Sequence, residues 1–160
     1  MEAIIVYQSK NGITRKFAEA ITRRVQKSVD NVKLKSIEDT TAQDIKNADI
    51  LYIGAVASGL FKQKPDQGWV DFVSSLPTME GKQTVLFTTY WLKSGSMLHK
   101  MKEYLIPKGF KIIGSMKSNN GNFDYFSIGV LKYSLYRLVN GQVQELKALV
   151  SKEEGVLETA

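Results

Sequence analysis

Short, wholly apolar runs alternate along this chain with longer stretches in which apolar residues recur every three or four positions. Ala3-Ile4-Ile5-Val6-Tyr7 is too short for a helix and rich in β-branched side chains, so it reads as a strand buried on both faces. From Thr14 the period changes. Ile13, Phe17, Ala20, Ile21 and Val25 fall on one face, with Arg15, Lys16, Glu19, Arg23 and Arg24 between them, which predicts an amphipathic helix. Asn31 to Ile37 alternates, Val32 and Leu34 against Lys33 and Lys35, as an edge strand does. Ile50 to Ala55 and Val85 to Phe87 are apolar throughout and predict interior strands. Trp69, Phe72, Val73 and Leu76 mark a helix stopped by Pro77, and Met97, Met101, Tyr104 and Leu105 mark another stopped by Pro107. Ile112-Ile113-Gly114 predicts a fifth, shorter strand.

Strands alternating with helices imply parallel pairing and a sheet covered on both faces. The first, third and fourth strands have interior character and the second and fifth edge character. That distribution matches a doubly wound α/β fold with a five-stranded parallel sheet in the order 2-1-3-4-5. After Ser115 the rhythm breaks. Lys117 to Asp124, with Asn119-Asn120-Gly121-Asn122, is expected to be a loop. Ile128, Leu131, Leu135, Leu138 and Val139 predict a helix stopping near Asn140-Gly141, and Val143, Leu146, Leu149 and Val150 a final one. No repeat or linker interrupts the pattern, so residues 1–160 are expected to form one domain.

Composition narrows the chemistry. The chain has no cysteine, which removes disulfides, thiolate metal sites, iron–sulfur ligation and thiol nucleophiles together. Its one histidine, His99, stands in a helical stretch and is expected at the surface or an interface, not as a catalytic base; no metal site is expected. Ala3 to Tyr7 is too short for a signal sequence and no apolar run is long enough to span a bilayer, so a cytoplasmic location is expected. Lys and Arg number 22 against 16 Asp and Glu, a net charge of +6. The excess gathers at Lys10, Arg15, Lys16, Arg23, Arg24 and Lys27 and again from Lys93 to Lys117. Such a surface attracts nucleic acid, anionic lipid or an acidic protein, or is simply a solvated helix face.

The informative segment is Ser9-Lys10-Asn11-Gly12-Ile13-Thr14, between the first strand and the first helix. Gly12 lets the backbone approach a ligand closely. The free N–H groups of the helix start, its dipole and the side chains of Ser9, Asn11 and Thr14 make a cradle for an anion. A capped helix start would use Asn11 or Thr14 alone. The ligand crevice of such a sheet lies at this end, beside the first and third strands. The Gly-rich dinucleotide fingerprint and the triphosphate loop ending in Gly-Lys-Ser/Thr are both absent, which favours a monophosphate.

The segment Tyr7 to Phe17, Ser-x-x-Gly-x-Thr after a strand, resembles the FMN-phosphate loop of flavodoxins. Where that family carries Thr or Ser third and often Asn fifth, this chain has Asn11, which still offers a side-chain amide, and Ile13, which offers only its backbone. The resemblance implies a flavodoxin-like fold, FMN as cofactor, and two further loops. Ala57-Ser58-Gly59-Leu60-Phe61 resembles the loop beside the flavin N5 edge, where Gly59 would turn its peptide toward the ring. Thr88-Thr89-Tyr90-Trp91 occupies the place of the loop whose aromatic stacks on the isoalloxazine. Tyr90 or Trp91 would stack, and Phe61 or Leu60 would cover the other face.

Flavodoxins that act as carriers are usually acidic, and this chain has the opposite sign. The resemblance therefore implies a redox partner protein, an acidic one if the basic charge serves docking, and no nucleic acid. Phe123-Asp124-Tyr125-Phe126 and the stretch Ile128 to Leu138 are also similar to the aromatic, basic segment of the menaquinone-dependent protoporphyrinogen oxidase branch of the superfamily, which implies peripheral membrane contact. The competing reading, the one preferred here, is a helix packed on the sheet with tyrosines and lysines at its rim. Three functions remain open: an electron carrier with no catalytic acid or base, an FMN-dependent oxidoreductase, and a flavin-free interaction module on the same fold. The carrier ranks first because no catalytic constellation stands out.

Overall fold

The computed structural model describes residues 1–8, 10, 12–58, 63–90 and 96–159, with the side chains of 58, 143 and 154–159 excepted. Five parallel strands form its sheet: β1 (Glu2–Tyr7), β2 (Asn31–Ser36), β3 (Ile50–Ser58), β5 (Gln83–Thr89) and β6 (Lys111–Ser118), in the order β2-β1-β3-β5-β6. A two-residue strand β4 (Lys64–Pro65) turns back antiparallel onto the end of β3, pairing Ala57 with Pro65 and Ser58 with Lys64. With β4 set aside this is the doubly wound order 2-1-3-4-5, and β2 and β6 are the edges.

The strand pattern follows from burial on two sides. Ala3 and Ile5 point into one layer, Ile4 and Val6 into the other, and all four are completely buried. One layer holds α2 (Ala42–Asn47), α3 (Gln67–Ser75) and α4 (Met97–Leu105), whose Ile45, Trp69, Val73, Met97, Met101 and Leu105 cover Leu51, Ile53 and Leu86. The other holds α1 (Gly12–Val25) and α5 (Tyr125–Thr159), whose Phe17, Ile21, Val25, Leu131 and Leu138 cover Tyr52, Val85 and Phe87. Helices on both faces are what a parallel sheet requires. Of the expected α1 stripe, Ile13 is instead exposed and Thr14 and Ala18 are buried in its place.

Two close approaches set the spacing. A Cβ at Gly54 would lie 2.1 Å from the Phe87 ring, and one at Gly114 2.6 Å from Val130 of α5. Phe87 in turn meets Phe17 edge-on (5.8 Å between centroids), and Phe17 meets Phe123 (5.5 Å). Each such pair adds about 0.5–1.5 kcal/mol beyond its burial.

Three expectations change. The fifth long strand extends past Gly114 to Ser118, so the loop after it spans only 119–124. The short helix α2 was not legible in the apolar periodicity; a capping box at Thr41 and Asp44 starts it. The C-terminal segment is one helix of 35 residues, not two, and it runs through Asn140 and Gly141. Asp124 accepts from the Ser127 N–H (2.7 Å) at its start. Its inward face is Leu131, Ser134 and Leu138, while Tyr125, Phe126, Tyr133 and Tyr136 face out.

Candidate functional site

Strands β1 and β3 pair as far as Tyr7 and Gly54. The chain leaves β1 for α1 on one face and enters β3 from the other, so the crevice of a doubly wound sheet opens here. The next residue, Gln8, is buried, and its side chain continues the connection: Oε1 accepts from the Val56 N–H (3.3 Å) and Nε2 donates to Asp66 Oδ2 (2.7 Å).

Asp66 is the N-cap of α3, and the same Oδ2 accepts from the Gly68 N–H (2.9 Å). Its other oxygen takes the Lys10 ammonium at 2.7 Å. The Lys10 hydrogen bond, helped by those from Gly68 and Gln8, holds the Asp66 carboxyl below its usual range against the cost of burial. A cleft of about 420 Å³ adjoins this cluster, lined by Gln8, Lys10, Glu38, Asp66 and Phe72 among others.

Helix α1 starts at Gly12, with no acidic residue in its first turn. The first N–H groups of a helix have no carbonyl partner within it, and its dipole leaves that end positive. A Cβ on Gly12 would meet nothing within 4 Å, so the backbone faces open space there. Two residues on, the buried Thr14 hydroxyl meets the Thr89 hydroxyl at the end of β5 (2.5 Å), joining the first loop to the third. The donor set offered by Gly12, Ile13, Thr14 and Lys10 is neutral or cationic, and it fits a phosphate.

The second loop begins at Ala57 and Ser58, the end of β3, held by the β4 pairing. In the third, the Thr88 hydroxyl donates to Ala55 O (2.9 Å) and so fixes the strand end. Tyr90 is half-buried, and its N–H donates to Ser118 O (3.1 Å). Ser118 organises the turn behind it, donating to Asn122 O (2.8 Å) and accepting from Gly121 N (2.9 Å). Lys16 of α1 reaches Asn120 O (3.2 Å).

The structure thus brings Lys10, Gly12, Ile13, Thr14, Ala57, Ser58, Thr88, Thr89 and Tyr90 to the carboxyl ends of β1, β3 and β5. Ser9, Asn11, Gly59, Leu60, Phe61 and Trp91 lie outside the described residues. His99 is exposed and pairs with Glu103 (3.3 Å), a surface role. Sequence reasoning missed Gln8 and Asp66. The signal for Asp66 was the Pro65-Asp66 start ahead of the α3 stripe; for Gln8 none was present.

The family model of the flavodoxin domain matches residues 4–123, the chain up to the start of α5. The flavodoxin of Megasphaera elsdenii is 28% identical over 111 residues, covering 69% of this chain and 81% of that protein. The flavodoxin of Clostridium beijerinckii is 26% identical over 111 residues, 68% of this chain and 79% of that one. Among solved structures, two-electron reduced Megasphaera elsdenii flavodoxin aligns with a TM-score of 0.74 at 26% identity, over 84% of this chain and 98% of that one. An archaeal flavodoxin, at 22% identity and a TM-score of 0.63 over 88% and 95% of the two chains, shares the fold.

Proposed function

As the chain belongs to the flavodoxin domain family, we propose that its three strand-end loops hold one FMN for electron transfer, the phosphate on Ser9–Thr14. The protein is an FMN-binding, flavodoxin-type electron-transfer protein that passes electrons to a redox partner protein. Bound FMN supplies the redox chemistry, accepting and releasing electrons through its ring.

The protein's part is binding and positioning. The N–H groups of Gly12 and Ile13 and the Thr14 hydroxyl receive the phosphate, and the α1 dipole favours its charge. Thr89 holds Thr14 in place, and Thr88 shapes the strand end from which the stacking aromatic, Tyr90 or Trp91, departs. Ala57 and Ser58 lead into the segment whose Gly59 would meet the N5 edge of the ring, with Leu60 or Phe61 covering the face opposite the stacking aromatic. Lys10 is ion-paired with Asp66 and leaves the phosphate mainly to the N–H and hydroxyl donors. The observation that carries this reading is the junction of β1 and α1: open backbone at Gly12 with no acidic residue in the first turn.

The basic surface, 22 cationic against 16 anionic side chains, favours an acidic docking face on the partner. Residues 1–160 act as one unit in this reading, in the cytoplasm. No helix among the described residues is long and apolar enough to cross a membrane.

The test is the visible spectrum of the purified protein and titration with FMN, FAD and riboflavin. Tight FMN binding with much weaker riboflavin binding is expected, because the phosphate loop distinguishes them. Binding of none of the three would refute the reading.

A further inference from the structure

Three groups converge on the Asp66 carboxylate, two from just past the end of β1 and one from the first turn of α3. Lys10 lies within the Ser9–Thr14 loop, and Gln8 is the last residue before it. Lys10 Nζ stands 2.7 Å from Oδ1, Gln8 Nε2 2.7 Å from Oδ2, and the Gly68 N–H 2.9 Å from Oδ2. Through Gln8 Oε1 the same cluster reaches Val56 N–H at 3.3 Å, close to the start of the second loop. Capping α3 needs only the bond from Gly68, and serine or asparagine would serve for it. The bonds to Gln8 and Lys10 go beyond a cap.

We propose that Asp66 is a positioning residue for phosphate recognition, which holds Gln8 and Lys10 ahead of the α1 start and, through Gln8, ties them to Val56 of β3. This rests on the FMN reading given above. Its logic is preorganisation: a loop already held in its binding geometry loses less conformational freedom when the phosphate arrives. The carboxylate also keeps the Lys10 ammonium paired, so the phosphate is received mainly by N–H and hydroxyl donors. The side chain of Asp66 is 15% exposed while that of Lys10 is 61% exposed, so the anchor is the sheltered member of the pair.

The test compares FMN and riboflavin affinities of the full chain in three forms: wild type, Asp66→Asn and Asp66→Ser. Serine keeps the helix cap, and with it folding, but is too short to reach Gln8 and Lys10. Asparagine keeps the cap and an acceptor for Gln8 but loses the charge that pairs Lys10. Asp66→Ser should weaken FMN binding about tenfold, roughly one net hydrogen bond to a charged group, and change riboflavin binding less than twofold. Asp66→Asn should fall between the two. The ratio of the two affinities is the readout that a merely structural role would not move. Equal losses for FMN and riboflavin, or no loss, in Asp66→Ser would overturn the assignment while leaving the FMN reading intact. A wild-type protein that binds neither flavin would instead overturn that reading, and this inference with it.

Discussion

Replacing Tyr52 with Phe should destabilise the protein at neutral pH and stabilise it in strong alkali. Tyr52 is fully buried in β3, beneath α5, and its hydroxyl lies 2.8 Å from Ser134 Oγ. Ser134 in turn donates to Leu131 O (2.7 Å), so the tyrosine is the donor of the pair. Tyr52→Phe then removes one hydrogen bond and orphans no donor, a cost of about 1 kcal/mol. For a chain this long that lowers Tm by about 2–4 °C.

Alkali reverses the order. Burial pushes the Tyr52 pKa from 10.0 up to about 12, with the Ser134 hydrogen bond acting in the opposite direction. Below pH 10.0 both folded and unfolded forms hold the proton. Above it the unfolded chain releases the proton first, so wild-type stability falls by about 1.4 kcal/mol per pH unit until the folded group also titrates near its own pKa. The Phe variant lacks this dependence, while every other titrating group is common to both proteins. The stability difference should vanish at about pH 11 and change sign beyond it. Urea denaturation followed by circular dichroism, from about pH 8 to about pH 12, measures the difference directly. Parallel profiles for the two proteins over that range would refute the argument.

Gly54→Ala places a methyl inside the Phe87 ring contact and should cost about 1–3 kcal/mol or more, read by chemical denaturation. Gly12→Ala has open space for its Cβ, so stability should move by no more than about 0.5 kcal/mol. The same methyl occupies the space a phosphate would approach, so FMN affinity should fall while riboflavin affinity stays. The Asp44 carboxyl is lowered from 3.8 to about 2, first by the Thr41 N–H and then by Lys35. Its stabilising effect is complete above the unfolded pKa and is lost as pH falls through the folded one. Asp44→Ala should therefore lose stability at neutral pH and show a shallower acid dependence between those limits, followed by circular dichroism during acid titration.

The strands were legible because the central ones are buried on both faces, which leaves an apolar run that no exposed element carries. Strand order followed from the same fact: Lys33 and Lys35 mark β2 as an edge. The end of β6 was hidden, since Lys117 and Ser118 are polar like the loop beyond them. The two-residue β4 and six-residue α2 are too short for any period to show. Asn140-Gly141 reads locally as a stop, but a mid-helix glycine costs only about 1 kcal/mol, and α5 continues through it. Within the site, Gly12 and Thr14 were found because strand, glycine and helix start are adjacent in sequence. Asp66 and Gln8 are 58 positions apart, and only the folded sheet brings them together.

Helix α5 divides into two halves that obey different thermodynamics. At 1.5 Å per residue its 35 residues extend about 53 Å, yet its last buried side chain among the described residues is Leu138, and residues 144–153 are all exposed. The first half gains stability from Tyr52, Val85 and Met116, so its amides should exchange with solvent only when the whole sheet opens. The described side chains of the distal half, 144–153, are all exposed, so that stretch rests on the intrinsic helix–coil balance, which is marginal at this length in water. Its amides should exchange through local fraying, at free energies near zero and insensitive to denaturant. The cooperative melt of this protein therefore measures the sheet and the helix down to Asn140 and Gly141, while the distal turns follow a separate, shallow equilibrium.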